Sequence, residues 1–381
     1  MTDAIALSSG KSLAPSPSQP PLFHTIDGLR GVAVLAILLY HCLGEHVLRI
    51  LPGVYFVVDM FYAISGFVLS YAYEGELRRG LGGGGFMRLR LIRVYPLYLL
   101  SLAIAVGALL AMMGRSGISE PLQFAASLVA SALLLPIIPR LSWHGHHPYP
   151  FNGTTWTLWW ELVINVVWST LGPRLTNRLL AVFVVIGIAL LGLGLSLPTK
   201  LEGGGAFETF HVGALRVVYG FFAGVAAYRL WAAGKFRWVR LPWWASILAM
   251  LAFMSMRPAH GSPAFDLIAV LAMPALVFAS AGPAPRWLAP LCNFAGRSAY
   301  GIYILNFPIL LALNFTLHRF GLSVTRLGVP GVALYIAVTI AIAAVAERYY
   351  DLPARRWLAR RFAPRRERRE IHPSAGLDGA A

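Results

Sequence analysis

Apolar residues gather in eleven runs along this chain, and short polar or basic stretches separate them. The runs lie near residues 26–46, 54–73, 92–113, 123–139, 156–172, 179–197, 212–231, 242–258, 264–281, 298–317 and 328–346. About 20 predominantly apolar residues, with a range of about 17–25, allow a helix to cross the hydrocarbon core of a bilayer. The pattern therefore predicts an all-α polytopic membrane protein, with the lipid bilayer as a partner.

Basic loops indicate which runs cross the membrane, because Lys and Arg concentrate on the cytoplasmic side. Basic residues cluster after the second, fifth, seventh, ninth and eleventh runs. These clusters fall on one side only if the run 123–139 does not cross, and Pro136 and Pro139 interrupt its end. We therefore predict about 10 transmembrane helices plus one re-entrant or half-spanning segment, with both termini cytoplasmic and residues 140–155 outside.

The two ends of the chain differ from the apolar middle. Residues 1–22 are polar and rich in Ser and Pro, and they lack the positive region and short apolar core of a signal peptide. We expect a disordered cytoplasmic lead there. Residues 354–381 begin with a run of arginines and predict a basic cytoplasmic tail. Residues 23–353 then form one membrane domain.

Composition and charge support the membrane assignment. Hydrophobic residues make up 57% of the chain and charged residues only 13%, whereas soluble domains are about 25% charged. The net charge of +16 lies largely in loops and the tail, which predicts contact with anionic headgroups and no nucleic acid. Cys42 and Cys292 offer no disulfide framework. His144, His146 and His147 lie in a loop without a nearby carboxylate or thiolate, so we predict no metal and favour contact with an acceptor.

Arg30 and His41 are the first candidate pair. They are eleven residues apart in the first apolar run, so they share nearly the same helix face at a rise of about 16 Å. Ionisable groups inside a membrane indicate a functional site by default, and histidine can act as a base, nucleophile or relay near neutral pH. The alternative is an interfacial arginine and a histidine that bonds a neighbouring helix.

Five segments of the chain resemble motifs of the acyltransferase-3 family of membrane acyltransferases, and they span residues 26 to about 310. They are "IDGLRGVAVLAILLYH" (Arg30, His41), "VVDMFYAISGFVLS" (Asp59, Phe61, Ser65, Gly66, Phe67), "RLIRVYPLY" (Arg90, Arg93, Pro96, Tyr98), "TTWTLWWEL" (Trp156, Leu158, Glu161) and "SAYGIYILNFP" (Tyr300, Tyr303). Two positions depart from the motifs. Thr157 stands where serine is usual, and Asn306 stands where many members have histidine.

The resemblance implies transfer of an acyl group, often acetyl, to a hydroxyl of a glycan, a lipid-linked sugar or a similar acceptor. The donor would be cytoplasmic acyl-CoA, used as a cosubstrate with no bound cofactor, and the location a bacterial inner membrane. A glycan transporter or flippase, or a polysaccharide polymerase, is the alternative. Transporters often contain paired broken helices, and here one broken run has no matching partner, which argues mildly against transport.

Donor binding would fall to three arginines. Arg90 and Arg93 are three residues apart and share a helix face, and guanidinium groups suit the phosphates of coenzyme A. Arg30 lies on the same side in the predicted topology. The alternative is the general bias of arginines toward cytoplasmic loops. Asp27 either pairs with Arg30 or caps the first helix.

The chemistry would fall to His41 as general base or acyl carrier. Glu161 lies in a strongly apolar run and would orient or polarise His41, or bind the acceptor hydroxyl; its alternative is a structural hydrogen bond. Tyr303 and Asn306 would contact or support the acceptor, although asparagine cannot act as a base. Ser65 could be a nucleophile, but a Ser-Gly-Phe segment inside a span more often allows close helix packing, so we assign Ser65 and Gly66 to packing rather than to catalysis. Trp156, Trp159 and Trp160 form a sugar platform or an interfacial belt, and we favour the belt for at least two of them.

Overall fold

The computed structural model describes residues 23–364 apart from 115–116, 144, 197–200, 202 and 257–262. Within these residues the chain forms α-helices and no β-strand. The helices are α1 His24–Leu43, α2 Glu45–Leu48, α3 Val57–Arg78, α4 Gly83–Met113, α5 Pro121–Ala132, α6 Thr155–Leu171, α7 Asn177–Leu195, α8 Phe210–Ala232, α9 Trp243–Ser255, α10 Pro263–Ala279, α11 Ala289–His318, α12 Gly328–Ala346 and α13 Leu352–Phe362.

Short irregular turns connect several of these helices. Five are 3₁₀ turns: Val54–Phe56, Pro139–Leu141, Gly172–Arg174, Phe207–Thr209 and Arg237–Val239. A π-helical turn, Glu347–Asp351, joins α12 to α13. This turn places the buried carboxylate of Asp351 beside α4.

Each of the eleven apolar runs coincides with one helix of the structure. Seven helical stretches in the described residues are long and apolar enough to cross a membrane, and three shorter apolar helices, Pro121–Ala132, Trp243–Ser255 and Ala264–Ala279, accompany them. The predicted all-α polytopic membrane fold is confirmed. The count of ten spans, and the side on which each terminus lies, remain predictions.

Helix boundaries differ most from the apolar runs where arginines begin a helix. α4 starts at Gly83, well before the apolar run at 92, and α11 starts at Ala289. Both helices begin about nine residues before their apolar runs and end with them, so hydrophobicity marks only part of each helix. In the region 123–139, α5 ends at Ala132 and the chain is largely non-helical as far as Pro139. The predicted lead 1–22 and the tail beyond 364 lie outside the described residues, while residues 354–362 belong to α13.

Glycines allow the closest helix pair, α3 and α8, to approach backbone to backbone. A Cβ at Gly66 would collide with the carbonyl of Phe221, and one at Gly224 would collide with the carbonyl of Ala63. Small residues at such contacts are typical of membrane helix interfaces, where packing rather than water drives association. Gly66 of the "ISGF" segment therefore has the packing role that the sequence indicated.

A buried ion pair further fixes α3 against α8. Arg216 donates from Nε and Nη2 to the two carboxylate oxygens of Asp59, at 2.9 and 2.6 Å, and both side chains are 1% exposed. Arg216 also donates to the carbonyls of Tyr55 and Gly203. Removing one partner of such a pair leaves a buried, unpaired charge and destabilises a protein by about 3–5 kcal/mol. The pair therefore makes α3 a rigid wall for its neighbours.

The contact between α1 and α11 places the first-helix motif. A Cβ at Gly31 would meet Ala295, and one at Gly296 would collide with the Asp27 carboxylate. Because these glycines allow close packing, Asp27 and Arg30 lie against α11 rather than in lipid. The same helices meet again about three turns further on, at His41 and Asn306.

Candidate active site

A cavity opens between α1, α3, α4, α6 and α11, with an empty volume of about 940 Å³ including its mouth. Much of its wall is apolar, from residues such as Val58, Phe61 and Leu158. The charged and hydroxyl side chains that line it are Arg30, Tyr62, Ser65, Arg90, Arg93, Thr157, Glu161, Tyr300 and Tyr303. Five of the nine predicted site residues thus meet here: Arg30, Arg90, Arg93, Glu161 and Tyr303.

Glu161 joins three walls of the cavity. Its Oε1 accepts a hydrogen bond from Ser65 on α3 at 2.7 Å and one from Arg90 on α4 at 2.5 Å. The side chains of Arg90 and Glu161 are 14% and 25% exposed, so water screens this pair only weakly. Ser65 and Arg90 are the partners of Glu161 in the described residues. The structure shows no contact between Glu161 and His41 there, so the expectation that Glu161 orients the imidazole stays a prediction. Ser65, assigned to packing from the sequence, also holds this carboxylate.

Each cavity arginine has a carboxylate partner and spare donors. Arg30 lies 3.4 Å from Asp27, and Arg93 lies 3.8 Å from Asp351 and over the ring of Tyr300. Asp27 therefore pairs with Arg30, which is one of the two roles that the sequence predicted for it. A guanidinium carries five N–H donors, and these pairs use only some of them.

Arg90 is the clearest case, because its Nε is buried without a hydrogen-bond partner among the described residues. Three arginines and one carboxylate line the cavity, so its charge favours an anion. We call Arg30, Arg90, Arg93 and Glu161 the arginine end of the cavity.

His41 lies beyond the opposite end and is not itself a lining residue. Its Nδ1 is 2.6 Å from Oδ1 of Asn306, and the Asn306 amide donates to the backbone carbonyl of Tyr303. Because the Asn306 side-chain nitrogen donates to that carbonyl, the side-chain oxygen Oδ1 faces the imidazole, and this oxygen can only accept a hydrogen bond. His41 therefore carries its proton on Nδ1, which leaves Nε2 as the proton acceptor.

Tyr303 lines the cavity and lies one helical turn from Asn306, so it connects the cavity with the His41–Asn306 pair. Its hydroxyl lies 2.7 Å from that of Thr157 on α6, so threonine supplies the hydroxyl at the position where serine is usual. We call Thr157, Tyr303, Asn306 and His41 the histidine end of the site. Its contacts are hydrogen bonds between groups without a carboxylate.

Tyr62 on α3 is a lining residue that the sequence did not single out. The residue is only 2% exposed, and its hydroxyl has no hydrogen-bond partner among the described residues. A buried hydroxyl without a partner costs free energy, so this donor is available to a molecule in the cavity. A tyrosine in an apolar helix carries no signal by which the sequence could have identified it.

Trp156 and Trp160 of α6 lie in different surroundings. Trp156 packs across Gly204, Gly205 and Gly213, outside the cavity. Trp160 donates from Nε1 to the carbonyl of Phe210 at 3.1 Å. Neither lines the cavity, so a sugar that enters it would not stack on Trp156.

The loop that precedes α6 closes the histidine end. Asn152 donates to the carbonyl of Ile304 on α11 at 2.9 Å and to the hydroxyl of Ser101 on α4 at 3.3 Å. His146 and His147 are exposed, and His144 lies outside the described residues. Within the described part of the chain, no group of three His, Cys, Asp or Glu side chains could hold a metal ion.

Comparison with known proteins gives two matches. The family described as "Acyltransferase domain" matches residues 23–348. A curated protein from Rhizobium radiobacter, "Protein 2 in picA locus", is 34% identical over 173 residues, which cover 43% of this chain and 89% of that protein. No solved structure matches the chain.

Proposed function

This chain belongs to the acyltransferase-domain family and is a membrane acyltransferase, and from that premise we propose that it acetylates a hydroxyl of a glycan or lipid-linked sugar with acetyl-CoA from the cytoplasm. One observation carries the proposal. Three arginines meet a single cavity whose far end, through Tyr303 and Asn306, reaches His41.

The arginine end suits the donor. Coenzyme A carries a pyrophosphate and a 3′-phosphate, and guanidinium groups bind phosphate oxygens through paired N–H donors. Arg30, Arg90 and Arg93 come from two helices and face one space, and the unpartnered Nε of Arg90 adds a donor there. The phosphates would lie at this end, with the thioester pointing toward Tyr303.

The histidine end suits the acyl transfer. Nε2 of His41 would take the proton of the acceptor hydroxyl while the hydroxyl oxygen attacks the carbonyl carbon of the thioester. The tetrahedral intermediate would collapse with release of the coenzyme A thiolate, which the imidazolium then protonates. The free hydroxyl of Tyr62 is the available donor for the oxyanion.

The direct test supplies labelled acetyl-CoA to membranes that contain the protein or its His41→Ala variant. Label should enter a glycan or lipid fraction only with the unaltered protein. A transporter or flippase would change the distribution of the glycan without adding label, and that result would refute the proposal. Label that remains on the protein when no acceptor is present would assign His41 as acyl carrier rather than base.

The route across the membrane rests on the ten-span topology in an inner membrane. It would place the arginine end on the cytoplasmic side and residues 140–155 outside. Single cysteines test this after Cys42 and Cys292 are replaced. His146→Cys should react with an impermeant maleimide in intact cells, and Ala232→Cys only after the membrane is opened. The opposite pattern would require a donor route from the other side.

A further inference from the structure

A second hollow lies on the far side of the wall formed by α4 and α6. It has an empty volume of about 1570 Å³ including its open side, and α13 and the end of α5 complete it. Its walls are mostly apolar. Leu91 and Leu133 are 40% and 59% exposed, as expected of side chains that face lipid. We call this hollow the α4–α13 groove.

Arg88 and Arg361 are the two charged side chains among the described residues that line the groove. They lie at the same end, because a Cβ at Gly85, in the first turn of α4, would lie 3.4 Å from Pro364, just after α13. From Arg88 to Tyr95, α4 rises about 10 Å, and the lining between them is apolar. The groove therefore has one cationic end and a hydrophobic length that suits part of one leaflet.

We infer that the α4–α13 groove binds an anionic phospholipid of the bilayer. Its phosphate would lie between Arg88 and Arg361, where guanidinium groups can form paired hydrogen bonds with phosphate oxygens. Its acyl chains would lie along Leu91, Ile92 and Tyr95. Basic pockets between helices at the membrane surface bind anionic headgroups by this combination of charge and apolar wall.

The position of the groove argues against the acceptor as its occupant. A lipid-linked acceptor in the groove would not reach the cavity. Arg90, Arg93 and Val94 face the cavity, whereas Leu91 and Ile92 face the groove, and the Arg90–Glu161 pair closes the wall between them.

A lipid in this position would hold α13 against α4. The link matters for the cavity, because Asp351, in the turn before α13, contacts both Arg93 and Arg355. The bound lipid is therefore a structural partner of the helices that carry Arg90 and Arg93, rather than a substrate. This inference does not depend on which acyl group or acceptor the protein uses.

The test compares lipids of equal chain length on the purified, full-length protein in detergent. Phosphatidylglycerol should raise Tm by several degrees and stay bound in native mass spectrometry. Phosphatidylcholine and inorganic phosphate should do neither. The double variant Arg88→Gln/Arg361→Gln should lose most of the shift and at least about tenfold of the retained lipid, since it loses both charged donors. Arg356→Gln, on the same helix but outside the groove, should keep both.

Three results would overturn the inference. Equal stabilisation by phosphatidylcholine would show general solvation by lipid. A full shift with inorganic phosphate alone would indicate an ion site without a lipid. Unchanged phosphatidylglycerol binding in the double variant would place the lipid elsewhere. If the double variant folds poorly, Leu91→Trp provides a second test, because it fills the groove without a change of charge and should likewise displace the lipid.

Discussion

The arginine end and the histidine end of the cavity solve different physical problems. Arginine–carboxylate pairs make up the first, with Arg90 held by Glu161 and Arg30 by Asp27. The second contains hydrogen bonds among His41, Asn306, Tyr303 and Thr157. Charge binds phosphates well, but an adjacent carboxylate would favour a protonated imidazole. In the proposed function, this separation would let the cavity bind an anionic donor while His41 acts as a base without a carboxylate beside it.

The largest effect should come from the base itself. His41→Ala should lower kcat by about 10²–10⁴-fold, the usual contribution of general acid–base catalysis, while donor KM stays within about twofold because the arginines are untouched. His46→Ala, an exposed histidine just after α1, is the matched control and should behave like the unaltered protein. Retention of more than about a tenth of the activity in His41→Ala would rule out the base role.

Tyr62 tests whether the cavity stabilises an oxyanion. Tyr62→Phe removes only the unpartnered hydroxyl, and we expect kcat to fall about 10²-fold, as for loss of one oxyanion donor. Stability should not fall, since the hydroxyl bonds nothing in the described structure. Tyr349→Phe, an exposed tyrosine, controls for the substitution. A change in donor KM without a change in kcat would instead make Tyr62 a binding residue.

Asn306 tests the tautomer argument. Asn306→Leu should lower kcat by roughly tenfold, the value of about one hydrogen bond, with both KM values nearly unchanged. Asn306→His should recover much of the loss, because a ring nitrogen can also accept from Nδ1 of His41. Equal defects in the two variants would show that the position supports packing only.

The smallest effect should appear at the arginine end. Arg90→Lys and Arg93→Lys keep the charge but lose the paired donors, so donor KM should rise about fivefold, near 1 kcal/mol, with kcat and acceptor KM unchanged. Arg356→Lys on exposed α13 is the control. Unchanged donor kinetics in both lysine variants would show that these arginines do not bind the donor and reflect only the general enrichment of basic residues in cytoplasmic loops.

The sequence predicted the helices, but not the contacts between their side chains. Apolar runs locate membrane helices because the bilayer imposes one length and one composition. Ionisable groups within those runs drew attention to Arg30, His41 and Glu161, since such groups are costly without a function, whereas Arg90 and Arg93 were proposed from their spacing at the start of a span. The pairing of His41 with Asn306 joins residues 265 positions apart, and no local pattern encodes it.

Two other features depend on tertiary packing that the sequence pattern does not reveal. Tyr62 is one of fifteen tyrosines, and only its position on the cavity wall distinguishes it. Arg216 lies in an apolar run, yet its role depends on Asp59, 157 positions away. The sequence predicted that Glu161 orients His41 or binds the acceptor hydroxyl, and this role stays a prediction. Its contacts with Ser65 and Arg90 follow from tertiary packing alone.

The glycines between α3 and α8 have a consequence for mutational screens. Any side chain at Gly66, Gly220 or Gly224 would push against the opposite helix, so inactive clones should accumulate at these positions in a random library. A map of such clones would therefore mark this helix interface as if it were an active site. Counting the amount of protein in each clone separates the two classes, because glycine variants should disappear from the membrane whereas His41 variants should remain there at full abundance.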